Sequence, residues 1–316
     1  MDNREIVKLA LDELKLNGAE KAVAALNDFE VQEFVYENGK ISLFRTTRQK
    51  VLTMKALVES KKSEQFLNQV DAENIKQKAK ETVESANISE PDPANDIADI
   101  VSVKSFKKGL VKADLDKIYE RMTEFTDYVK QNYPLLILEQ FVVKFMHNNG
   151  YFINSNGIDL SLESGYYSIF PMFTSKDGKN TSSFNYCGAI IDNLDKPFIE
   201  LGRFAELMKE STEQVVTKPV PENFIGDMII TPECLEDFLY YFEQMIGSYP
   251  LITDTCIYKD KINQKIATGS LTLHSKPLSD DFVEFDPFDR DGFLNSNTVY
   301  IDKGVLKSFI LGLYGS

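Results

Sequence analysis

The chain has only two imidazoles, His147 and His274, among 316 residues. Either could act as a general acid, because histidine titrates near neutral pH. They are far apart in the sequence and lie in or beside predicted strands, where a lone histidine is more often structural or exposed. We therefore predict that the chain builds no histidine-based metal or catalytic site of its own.

Three cysteines, Cys187, Cys234 and Cys256, are the other candidate nucleophiles. They are odd in number and widely spaced, and no C-x-x-C motif occurs, so buried thiols in a reducing compartment are expected. A Cys–His pair formed in space would still allow a hydrolase, and this alternative stays open.

The densest acidic stretch, residues 280–292, invites a calcium-binding interpretation. The EF-hand register excludes it, because Gly292 at the sixth position would put Pro287 first and Thr298 twelfth, where carboxylates are required. A solvated loop with a tight Asp-Gly turn is predicted instead. The phosphate-binding and serine-hydrolase motifs G-x-x-x-x-G-K-[ST], G-x-G-x-x-G and G-x-S-x-G are absent.

The net charge of −14 disfavours direct binding to nucleic acid. The polar N-terminus does not resemble a signal peptide, and no segment approaches the roughly 18 apolar residues of a membrane span. A cytoplasmic protein without membrane contact is predicted.

In the N-terminal third, the sequence pattern predicts a helix, then a meander of strands, and then a second helix. Apolar spacing predicts a helix from about residue 5 to Gly18, and Asp71 is placed to cap a second. Between them, Asn38-Gly39 has the residues of a type I′ hairpin turn. Pro91 and Pro93 follow the second helix and prevent its continuation.

The rest of the chain predicts a long helix and then mostly strands. The helix spans about 115–129, and an antiparallel ribbon follows with a turn at Asn148-Asn149-Gly150. Two helices are expected at 200–211 and 232–246. Residues 305–314 form an apolar strand that needs a partner, so either it pairs backward within the domain or the sequence lacks a C-terminal portion.

These elements predict an α+β fold with two domains. Residues 1–110 form a helix-flanked antiparallel meander, and 111–134 contain a long connecting helix. Residues 135–316 form a mostly antiparallel β domain with inserted helices, which is expected to be incomplete because of the unpaired strand.

Short motifs across the chain resemble the TldD/PmbA family, also called modulators of DNA gyrase. Their order and spacing from about residue 5 onward make chance similarity improbable. The motifs lie at residues 18–22, 37–41, 89–93, 153–158, 287–292 and 299–307.

The resemblance implies a cytoplasmic peptidase system in which a TldD-type subunit pairs with a PmbA- or TldE-type subunit. The TldD type carries His-Glu-x-x-x-His on a helix, where two histidines hold zinc and the glutamate is the base. Here the corresponding helix follows residues 224–232, and Tyr240, Tyr241 and Met245 occupy the motif positions. The resemblance also implies a further C-terminal portion beyond Tyr314.

The leading hypothesis is a PmbA/TldE-like subunit that binds no metal or cofactor and is not catalytic alone. Its implied partner is a TldD-like zinc-binding subunit or a second copy of the chain, with peptide as substrate. A regulatory protein of the gyrase-modulator type and a stand-alone cysteine hydrolase are the alternatives.

Overall fold

The computed structural model describes residues 1–219, 222–223 and 225–315. Val220, Pro221, Phe224 and Ser316 lie outside the described residues, so the segment predicted to precede the zinc-motif helix is described from residue 225 onward. Within the described part of the chain, no helix is long and apolar enough to span a membrane.

Side-chain caps define where the N-terminal helices begin. Asp2 accepts a hydrogen bond from the Glu5 backbone N–H at 2.8 Å, and Asp71 accepts one from that of Asn74 at 3.0 Å, which confirms the predicted cap. Asp114 caps the long helix in the same way. The helices are α1 (Asn3–Leu16), α2 (Ala72–Ile88), α3 (Leu115–Asn132), α4 (Phe204–Glu213), α5 (Pro232–Met245) and α6 (Ser248–Ile252).

Most strands belong to one large sheet with the order β3-β2-β1-β5-β6-β4. All pairs along this path are antiparallel except β4–β6, which is parallel. The short β7, β8 and β9 pair with β6, and β10-β11-β12 form a separate small sheet. The strands are β1 (Lys21–Glu37), β2 (Lys40–Val58), β3 (Lys61–Leu67), β4 (Val103–Gly109), β5 (Leu136–Asn154), β6 (Asp159–Asp177), β7 (Asn180–Thr181), β8 (Asn185–Tyr186), β9 (Ala189–Ile191), β10 (Leu273–Ser275), β11 (Thr298–Asp302) and β12 (Val305–Leu306).

One face of the large sheet carries two hydrophobic cores at its two ends. Ala24 and Leu26 of β1 pack in the core of α1 and α2, whereas Phe34 of the same strand packs in the core of α3 and α4. Strand residues separated by an even number share a face. Helices α1 to α4 therefore cover one face, which we call the helix face. The other face, the open face, is left for the C-terminal segment, residues 225–315.

The sheet confirms the predicted α+β fold. The Asn38-Gly39 hairpin is also confirmed, with φ of 50° and 82° at the two turn residues. The sheet draws strands from both sides of residues 110 and 134, and the predicted division into 1–110, 111–134 and 135–316 stays a prediction.

The predicted turn at residues 148–150 is wrong. β5 continues through it, because β1 and β6 pair with it on both sides: Asn148 lies opposite Phe29 and opposite Ser164. Two flanking strands satisfy the backbone groups there, and this outweighs the turn preference of Asn and Gly.

The strand predicted at 305–314 is wrong in its extent, whereas the backward pairing that the sequence allowed is confirmed. β12 ends at Leu306 and pairs with β11, with Ile301 opposite Leu306. The chain then turns away, and the Ile310 N–H donates to the Ile246 carbonyl at 2.8 Å. The apolar residues of this segment therefore pack locally and do not form one long strand.

Candidate functional site

A cavity of about 980 Å³ lies between the open face of the sheet and the C-terminal segment. The sheet contributes side chains from β1, β5 and β6, while residues 274–286 form much of the opposite wall. Its lining residues include Phe29, Val31, Met146, Asn148, Tyr166, Glu243, His274, Phe282 and Glu284.

The C-terminal segment is held on the sheet by packing around Gly292. This glycine has φ +92°, and a Cβ added to it would lie 2.4 Å from the Phe152 ring. Phe288 and Phe293 pack against the buried cluster that contains Phe152. The prediction of a solvated loop at 280–292 is therefore wrong for the second half of this range. Its apolar side chains pack against the sheet, and this contact could not be predicted from the sequence alone.

The polar groups of the cavity are partly desolvated. Tyr166 donates its hydroxyl to Glu284 at 3.3 Å, and burial, followed by the nearby Glu284 charge, raises the Tyr166 pKa. Desolvation, followed by repulsion from Asp289, raises the pKa of Asp286. The Asn148 Oδ1 atom is buried and has no hydrogen-bond partner among the described residues. An unpaired buried acceptor in a cavity wall is suited to an N–H donor on a ligand.

Atoms of both histidine residues border this cavity, but the two imidazoles have different surroundings. His274 is exposed on β10. Alternation along β5 directs the His147 imidazole to the helix face, opposite to Met146 and Asn148. There its Nε2 lies 3.5 Å from Glu163 Oε1, a contact too long for a well-formed hydrogen bond. The two imidazoles therefore lie on different sides of the sheet and do not form one site.

Glu163 beside His147 is held mainly by a lysine. The Lys107 Nζ lies 2.7 Å from Glu163 Oε2, and this hydrogen bond is the largest cause of the lowered Glu163 pKa. The His147 environment is consistent with a structural role at the polar boundary between the two cores.

The helix with the predicted zinc-motif positions is α5. It has no buried residue, and Tyr240 and Tyr241 are 57% and 71% exposed. Its contribution to the cavity wall is Glu243. A phenol and the Met245 thioether are poor substitutes for the imidazole and carboxylate groups of a zinc peptidase. Within the described ranges, no group of three or more His, Cys, Asp or Glu side chains could hold a metal ion.

The cysteines differ in exposure. The prediction of buried thiols is confirmed for Cys187 and Cys256 and is wrong for Cys234, which is exposed on α5. Burial, with a smaller contribution from Glu233, raises the pKa of Cys187 to about 12. At neutral pH this thiol stays protonated, which disfavours it as a nucleophile.

Sequence reasoning did not identify Asn148, Tyr166 or Glu243 as cavity residues. Asn148 was assigned to a turn, and the other two have types and spacing typical of strand and helix surfaces. The alternation of Phe29 and Val31 along β1 was the available signal for an apolar patch on one sheet face.

The C-terminal wall of the cavity matches a known family. Residues 225–316 match the model of the PmbA/TldA metallopeptidase C-terminal domain. Comparison with curated protein sequences finds no match. The relation to a metallopeptidase family predicted from the sequence is therefore supported by residues that include α5 and the segment over the sheet.

Solved structures share the fold over nearly the whole chain. TldE from Thermococcus kodakarensis matches with a TM-score of 0.74 and 14% identity, over 98% of this chain and 70% of that one. A proposed DNA gyrase modulator from Bacteroides thetaiotaomicron matches with 0.75 and 16%, over 99% and 72%. Another from Thermotoga maritima matches with 0.73 and 14%, over 99% and 72%. These matches confirm the predicted fold, and the match of residues 225–316 to the family model supports the predicted resemblance.

Proposed function

We propose that this chain is a PmbA/TldE-like subunit of a cytoplasmic peptidase system, in which a TldD-type subunit supplies the zinc. The observation that supports the proposal is the cavity, because one of its walls is formed by the segment that matches a metallopeptidase domain. In the same segment, α5 has Tyr240, Tyr241 and Met245 at the predicted zinc-motif positions. The chain thus offers a cleft of the family without the side chains that bind zinc. It acts as a non-metal-binding subunit that helps to hold peptide.

The cavity has the chemistry that an extended peptide requires. β10 lines it and, among the described strands, pairs on one side with β11, so its outer edge can accept a further strand. Phe29, Val31 and Phe282 offer apolar contacts for alternate side chains, and Asn148 Oδ1 can accept a backbone N–H. Such contacts bind peptides with little dependence on sequence.

The subunit role is tested by co-expressing the chain with a TldD-type protein that carries His-Glu-x-x-x-His. We expect the two proteins to copurify and to hydrolyse an unfolded peptide together, while the chain alone does not. Recovery of only a homodimer, or unchanged hydrolysis by the TldD-type protein after removal of this chain, would contradict the proposal.

The cleft is tested by making the same substitution, Phe to Asp, at one position inside the cavity and at one position outside it. Phe282 in the cavity wall is 55% exposed, and Phe66 on β3 is 64% exposed, so neither substitution should unfold the protein. Phe282→Asp is expected to weaken binding of a labelled unfolded peptide by about tenfold, because it places a charge in the apolar wall. Phe66→Asp should leave the affinity unchanged, and equal effects would contradict the assigned cleft.

The second candidate is a regulatory protein without a peptidase role. Its motive is that the similar Bacteroides and Thermotoga proteins are described as proposed DNA gyrase modulators. Affinity purification separates the two candidates: recovery of gyrase without a TldD-type protein supports regulation, and the reverse supports the peptidase subunit.

A further inference from the structure

A second cavity of about 530 Å³ lies on the same open face as the first. The same three strands, β1, β5 and β6, line both cavities with residues that are two positions apart. Val31, Met146 and Tyr166 line the first cavity, and their neighbours Glu33, Lys144 and Ser168 line the second. Two residues of a strand span about 7 Å. An extended chain in the first cavity therefore reaches the second within about two residues.

A buried carboxylate shared by two cations distinguishes this second cavity. The Glu33 side chain is 8% exposed, and its Oε1 lies 2.9 Å from Arg45 Nη2. Its Oε2 lies 3.1 Å from Lys144 Nζ. Arg45 and Lys144 keep 60% and 40% of their side chains exposed, so both extend from the buried acid toward the cavity.

At this cluster one buried carboxylate, Glu33, is shared by two cations. Glu33 neutralises a single positive charge, and each cation has further N–H donors beyond its contact with Glu33. Glu37 is a second carboxylate of this cavity, and it accepts a hydrogen bond from the Ser42 hydroxyl at 3.0 Å rather than from either cation. The two cations are 60% and 40% exposed and sit side by side on Glu33, so their remaining N–H groups can be shared with an anion that enters the cavity.

We propose that Arg45 and Lys144 form a subsite for a carboxylate of an extended peptide whose chain occupies the first cavity. The inference rests on the proposed peptide cleft and names the chemical feature of the peptide that the cleft selects. The carboxylate is either the C-terminus of the peptide or an Asp or Glu side chain near it. Guanidinium and ammonium groups bind both through the same charge-assisted hydrogen bonds.

Three fluorescent decapeptides made of Ala, Gly, Ser and Val test the subsite with the full chain. The first has a free C-terminus, the second an amidated C-terminus, and the third is amidated but carries one Glu near its end. Fluorescence anisotropy should show that the free acid binds about tenfold more tightly than the amide. The third peptide identifies the source: tight binding assigns an acidic side chain as a ligand too, and weak binding assigns the C-terminus alone.

Variants separate the subsite from general effects on the fold. Arg45→Gln and Lys144→Met should abolish the preference for the free acid. Arg48→Gln is the matched control, because Arg48 lies on the same strand and contacts a carboxylate, Glu30, at 2.6 Å without lining this cavity. Glu33→Gln should increase the affinity for the free acid, because it removes the anion that competes for both cations. Thermal unfolding of each variant identifies any loss of fold.

The outcomes distinguish the subsite from the cleft. Equal binding of the acid and the amide would overturn the subsite and leave the cleft in place. Binding of neither peptide would overturn both. A loss of preference in Arg48→Gln as large as in Arg45→Gln would show a general electrostatic effect and overturn the subsite. Lower affinity for the free acid in Glu33→Gln would show that the two cations do not bind the carboxylate, and it would also overturn the subsite.

Discussion

Gly292→Ala tests how the C-terminal segment is seated on the sheet and therefore how the large cavity is formed. Gly292 is buried, and a Cβ there would lie 2.4 Å and 2.9 Å from two atoms of the Phe152 ring and 3.1 Å from Ile158 Cδ1. Gly18 is the matched control, because it has φ +104° compared with +92° for Gly292, and a Cβ there has no neighbour within 4 Å. Both variants place alanine at a positive φ, which is unfavourable for the backbone, and only Gly292→Ala adds a steric clash.

The magnitudes follow from these two contributions. Alanine at positive φ costs roughly 1–2 kcal/mol, so Gly18→Ala should lower the free energy of unfolding by about that amount. Overpacking against Phe152 adds about 1–3 kcal/mol for Gly292→Ala. Urea unfolding followed by circular dichroism measures both, and binding of a labelled peptide reports whether the displaced segment still closes the cavity.

Two results would refute the packing described for Gly292. One is an equal loss of stability in the two variants, which would mean that Phe152 is not in contact. The other is a large loss of stability in Gly292→Ala with peptide affinity unchanged, which would mean that the segment held by Gly292 does not form the wall of the binding cleft.

Three further predictions concern the core, the thiols and pH. Phe141→Ala should lower the free energy of unfolding by about 3–5 kcal/mol, because the ring is fully buried between α3 and the sheet; chemical denaturation checks this. Thiol labelling under native conditions should modify Cys234 alone, and rapid labelling of Cys187 would contradict its burial and its pKa of about 12. The Glu163 pKa is lowered from 4.5, so its ion pair with Lys107 stabilises the fold above about pH 4.5 and is lost as the pH falls through the folded-state pKa. Lys107→Met should therefore lower stability at neutral pH, and a difference from wild type that persists at pH values below the folded-state pKa would contradict this.

Local signals in the sequence predicted those elements whose causes are local. Asp71 stabilises its helix through the Asn74 N–H, and Asn38-Gly39 adopts the positive φ angles that its turn requires. Each of these interactions spans only a few residues. Patterns in a short window are therefore sufficient to locate them.

The failures involve partners that are distant in sequence. Asn148 lies in a strand because Phe29 and Ser164 flank it, and neither neighbour is visible from the local composition. The cavity joins β1 to residues beyond 270, so no short window contains it. The residue types at the predicted zinc-motif positions Tyr240, Tyr241 and Met245 could be read from the sequence. The Glu33 cluster, in contrast, required the register of β1, β2 and β5.

Zinc content tests the central proposal most directly. The chain is purified alone and in complex with a TldD-type subunit, each after exposure to zinc and removal of the excess, and the metal is measured by mass spectrometry. We predict no stoichiometric zinc in the chain alone and about one zinc per complex, bound by the partner's His-Glu-x-x-x-His motif. Stoichiometric zinc in the isolated chain, together with peptide hydrolysis, would contradict a non-metal-binding subunit.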